Sequence, residues 1–176
     1  MFGMDADAVH LAINHLPVVL SLLGAAAAAI AFVLRRRAVF LYAVSTLSLA
    51  GMSSCPALRT GHTAAELIED RWYVDKAQIQ RHHDTAENAN LLMLGTGVLA
   101  LVAWWLTLRA PREAKPGTLI MAAVLVAGVS SATAMGWTSW QGGYIVSKHA
   151  KLLRSSAPAP TKADSGSMPA MDHSRH

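Results

Sequence analysis

The chain has 176 residues, of which 53% are hydrophobic and only 15% charged, and its formal net charge is +4. A soluble domain carries roughly a quarter charged residues, so this composition excludes an ordinary soluble globular domain. The single cysteine, Cys55, excludes an internal disulfide, a cysteine-only zinc site and the Cys-x-x-Cys-His haem attachment motif.

The start, Met1 to Asp7, is acidic rather than basic and leads into a long apolar block. A cleaved signal peptide wants the opposite pattern, so the block is expected to be an uncleaved first helix. It runs from about Leu11 to Leu34. Pro17 lies near its beginning, and proline is tolerated in a first turn. That placement makes Asn14 a candidate N-cap, with His10 in the preceding loop. A second block spans about Ala38 to Leu58 and ends in Ser53, Ser54, Cys55 and Pro56.

The connection after it, from about Arg59 to Glu87, is polar but not featureless. Thr63 followed by Glu66 has capping-box spacing and predicts a short helix through Asp70. Asp75 can cap a further helix through Ile79 and His82, and no breaker separates that stretch from the third block, about Asn88 to Leu108. The fourth block runs from about Thr118 to Trp137. Each block reaches the length of about 20 apolar residues that a bilayer span requires. Residues 1–154 therefore read as an all-α, four-helix transmembrane bundle with a helical external loop. Residues 155–176 are rich in Ser, Ala and Pro and are expected to be a disordered external tail.

Charge gives an orientation. Arg35, Arg36 and Arg37 join the first two blocks, and Arg109, Arg112 and Lys115 join the last two. The positive-inside rule puts these short loops in the cytoplasm and both termini outside, which in a bacterium is the periplasm. Trp104, Trp105, Trp137 and Trp140 fall where interfacial tryptophans are expected. The basic excess is thereby explained by topology, without a nucleic-acid partner. The expected location is the bacterial inner membrane, and the lipid bilayer is the first expected partner.

In this orientation all eight histidines lie at the outer side. Ionisable groups at membrane depth are costly and mark function by default. His15 is the deepest, and His82 and His83 stand at the mouth of the third helix. Imidazoles from facing helices can hold a haem iron from both sides. His15 and His82 are thus candidate axial ligands of a b-type haem, with His10 and His83 as substitutes and Asn14 and Glu87 as orienting partners. A second arrangement gathers His10, His15, His83 and Glu87 around copper or zinc. His62 and His149 read as histidines that hydrogen-bond loop carbonyls. In the tail, Met168, Met171, His173 and His176 offer thioether and imidazole donors suited to copper. There is no nucleophile–base motif, no phosphate loop and no acidic pair within a span. The residues therefore favour a binding or electron-transfer subunit over an enzyme, with a cofactor-free structural or assembly subunit as a third reading.

Several short runs carry a resemblance. His10-x-x-x-Asn14-His15-x-Pro17 opens the first helix, Thr60-Gly61 closes the second, and Ala64-Ala65-Glu66 and Ile68-Glu69 follow. Ile79-x-x-His82 and Ala86-Glu87 precede the third, and Gly142-Gly143-x-Ile145 follows the fourth. In this order they resemble a family of bacterial four-helix membrane proteins with a domain of unknown function, sometimes predicted to bind haem or take part in respiratory electron transfer. The resemblance implies an inner-membrane location, a shared role for His15 and His82, and respiratory or periplasmic redox proteins as partners.

Overall fold

The computed structural model describes residues 6–68 and 75–156. Its elements are α1 (Ala6–Leu34), α2 (Arg37–Ile68), α3 (Lys76–Arg109) and α4 (Thr118–Ser156), with no strand among the described residues. Each helix contains a segment long and apolar enough to cross a membrane: Ile13–Leu34, Arg37–Thr63, Lys76–Arg109 and Thr118–Ile145. Every helix packs on its two neighbours in the order α1, α2, α3, α4 and back to α1. Across the α2–α4 diagonal few backbone positions approach each other, and the backbones of α1 and α3 do not approach each other among the described residues.

The outward surface is apolar over most of its length. Leu119 is 88% exposed, Val33 77% and Met52 72%. In water such a surface would aggregate; in hydrocarbon it is the expected lining of a spanning helix. The interior is built from small residues around a few large ones, chiefly Phe40, Leu47, Met93 and Met121. Leu47 fills a slot left by two glycines: a Cβ on Gly24 would stand 2.7 Å from its Cγ, and one on Gly128 3.2 Å from its Cδ1. On the α2–α3 seam a Cβ on Gly51 would meet the Gly97 Cα at 3.0 Å, so these two backbones are in direct contact. Thr96 and Ser131 share a buried hydrogen bond of 2.7 Å between α3 and α4. Small residues and hydroxyl pairs of this kind hold helices together where lipid supplies no hydrophobic drive.

The arginine end is closed by side chains of the first connection. Arg35 takes a left-handed backbone (φ 56°), the usual way to end a helix, and its Nη1 donates to Thr118 Oγ1 at 2.8 Å. Arg37 donates to the carbonyls of Thr107, Ala110 and Pro111. Among these, the Thr107 carbonyl is an acceptor that the last turn of α3 would otherwise leave open.

Three local expectations change. The first helix begins at Ala6 rather than at Asn14, so Asn14 is not a cap and Pro17 is a buried interior residue. The second helix does not stop near Leu58, and no separate helix starts at Thr63. The helix runs through Pro56 to Ile68, and the Thr63 hydroxyl donates back to the Arg59 carbonyl at 3.3 Å instead of capping. Proline removes one donor but does not forbid continuation where neighbouring helices hold the backbone. The fourth helix passes through Gly142 and Gly143 to Ser156, well beyond Trp137. By contrast, Asp75 caps α3 as its position suggests, its carboxylate accepting from the Gln78 N–H at 3.2 Å. The tail from residue 157 lies outside the described residues.

Candidate metal centre

The end of the bundle opposite the arginines carries the described histidines. The prolongation of α2 brings His62 there. Residue 62 follows Gly51 by eleven positions, and residue 83 precedes Gly97 by fourteen. Both intervals return to nearly the same helix face. The seam that closes on Gly51 and Gly97 therefore continues outward to His62 on α2 and His83 on α3. Glu87, four residues after His83, shares its face.

There the side chains meet. His62 Nε2 and His83 Nε2 are 2.6 Å apart, with the rings edge to face at 83°. Glu87 Oε1 lies 3.7 Å from His83 Nε2 and 3.9 Å from His62 Nε2. The three donor atoms thus lie within 3.9 Å of one another, close to the spacing of about 3.3 Å between ligands of a tetrahedral zinc ion, with the His62–His83 pair tighter than that spacing. The cluster is the set of metal-ligating side chains that the described residues bring together. It is half-buried at the histidines and open at Glu87. Two imidazoles and a carboxylate suit zinc or copper(II), and no thioether is in the set to favour copper(I).

The sequence-derived candidates are distributed as follows. His83 and Glu87 stand together, as in the copper or zinc arrangement, and His62 joins them. His15 is exposed on α1, and α1 and α3 occupy opposite corners of the bundle. His82 points about 100° away from His83 around α3 and packs on α4, its Cε1 3.3 Å from where a Gly142 Cβ would stand. Asn14 is half-buried on α1. The side chains of His10 and His149 lie outside the described residues, as do Met168, Met171, His173 and His176. His62 is the residue that reasoning from sequence passed over. The signal was the period 51–55–58–62, which continues the α2 face past Pro56.

Outward of the cluster, the first turn of α3 is tied to α4. Lys148 Nζ lies 3.6 Å from Asp75 Oδ2 and donates to Gln78 Oε1 at 3.3 Å. The Gln78 N–H, and then the Lys148 charge, hold the Asp75 carboxyl below its ordinary value. Compared with protein-family models, characterised proteins and solved structures, the chain matches none.

Proposed function

We propose that this chain is a multi-pass membrane protein that handles a transition-metal ion, zinc or copper(II), through His62, His83 and Glu87. The observation that carries the reading is the convergence of two imidazole nitrogens and a carboxylate oxygen, from α2 and α3, within 3.9 Å of one another, a donor set that zinc accepts. Glu87, four residues after His83, adds a carboxylate within ion-pair distance of both rings. The basic connections at the opposite end favour an orientation with the metal site outside the cytoplasm. In the bacterial inner membrane that side is the periplasm, where the Met/His tail can collect the same ion.

The test is isothermal titration of the detergent-purified full chain with Zn²⁺ and Cu²⁺. One ion per chain is expected, with affinity falling at least tenfold in His62→Ala and in His83→Ala. Absence of stoichiometric binding, or binding indifferent to both substitutions, overturns the reading.

A further inference from the structure

The buried polar side chains of this bundle are Ser21, Thr46, Ser54, Asn90, Thr96, Thr107 and Ser131. Six of them have a hydrogen-bond partner. Ser21, Thr46, Ser54 and Thr107 donate to carbonyls of their own helices, and Thr96 bonds Ser131. Asn90 differs. It is 8% exposed, and its Oδ1 has no donor among the described residues. A buried carbonyl oxygen without a donor is rare and calls for an explanation.

Its place on α3 supplies one. Asn90 follows Glu87 by three residues and His83 by seven, so all three lie on one face. The next residue inward on that seam is Met93, fully buried, whose carbonyl approaches Gly51 of α2. Asn90 therefore stands inward of the cluster on the same face, about 4.5 Å along α3 from Glu87 and about 10 Å from His83. Three protein ligands leave a tetrahedral ion one open position, which water fills in sites that exchange or react. Metal-bound water is a strong hydrogen-bond donor, because the cation draws electron density from it.

We infer that Asn90 is a positioning residue whose Oδ1 accepts a hydrogen bond from a water bound as the fourth ligand of the metal. The site is then an open, exchangeable one rather than a closed structural one. This rests on the metal reading above, and the experiment separates the two.

The probe is Co²⁺, added to the purified full chain and followed by its visible spectrum across pH. In Asn90→Leu, affinity for cobalt falls about ten- to a hundredfold, the usual effect of removing an outer-shell partner. The pH midpoint of the cobalt spectrum also shifts. Asn90→Asp keeps an acceptor oxygen and retains a four-coordinate spectrum. Asn90→Leu removes an unsatisfied polar atom, so its thermal stability without metal is not reduced. If Asn90→Leu binds cobalt with unchanged affinity and midpoint while His83→Ala does not bind, the inference fails and the metal site stands. If the unmodified chain itself binds no cobalt, both fail.

Discussion

His62 Nε2 and His83 Nε2 face each other at 2.6 Å across the α2–α3 seam. These residues are 21 positions apart, and they meet because α2 continues past its apolar block. A tetrahedral ion with bonds of 2.0–2.1 Å separates its ligands by about 3.3 Å, so the proposed metal loading would open the pair by less than about 1 Å.

The two histidines act as a unit. In the presence of zinc at about a hundred times its dissociation constant, the loaded bundle gains roughly 2.7 kcal/mol. His62→Ala and His83→Ala each abolish most of that gain. The double substitution costs little more than either alone. Thermal unfolding with and without zinc measures this; additive losses would contradict it.

The Gly51–Gly97 contact predicts a sharp positional contrast. A Cβ at either position meets facing backbone at 3.0–3.1 Å, whereas one at Gly95 or Gly136 meets nothing within 4 Å. Gly51→Ala and Gly97→Ala should therefore destabilise the bundle by about 1–3 kcal/mol, the cost of overpacking. Gly95→Ala and Gly136→Ala should not destabilise it. Unfolding of the detergent-solubilised variants is the check.

The three arginines of the first connection are not equivalent. Arg37 serves three carbonyls of α3 and the turn after it, and hydrogen bonds from a charged donor contribute roughly 1.5–3 kcal/mol. Arg37→Ala should lower stability by an amount in that range. Arg36 is exposed, and Arg36→Ala should stay within about 0.5 kcal/mol of the parent. Arg35→Gly should keep the left-handed turn, since glycine adopts positive φ freely, while losing the bond to Thr118.

The Asp75 carboxyl sits below its ordinary value because it accepts from the Gln78 N–H and faces Lys148. Its folded-state value is depressed, so its contribution to stability is present above the ordinary aspartate pKa. It is lost as pH falls through the lower, folded-state value. Asp75→Asn should weaken the start of α3 at neutral pH and flatten the acid limb of the stability profile. Hydrogen exchange at Ala77–Ile79, compared at neutral and acid pH, reads this directly.

The bundle was legible because its apolar blocks are long and uninterrupted, and only helices satisfy the backbone in such blocks. Asp75 was legible as a cap because an aspartate before a helical pattern has few other uses. Helix ends were harder to place. Pro17, Pro56 and Gly142 look like boundaries in sequence, yet packing carries the helices through all three. Those misplaced ends hid the candidate site, since His62 joins His83 only if α2 passes Pro56 and Gly61. Pairings between helices are tertiary facts as well. The order of packing leaves α1 and α3 apart, and no periodicity within a helix reveals that.

The most direct test of the metal reading is X-ray absorption at the zinc edge of the zinc-loaded, detergent-purified chain. The account predicts nitrogen and oxygen ligands at about 2.0–2.1 Å with the outer-shell scattering of two imidazoles, one of which disappears in His83→Ala. A shell of oxygens without imidazole scattering, or a spectrum unchanged in both His62→Ala and His83→Ala, would contradict it.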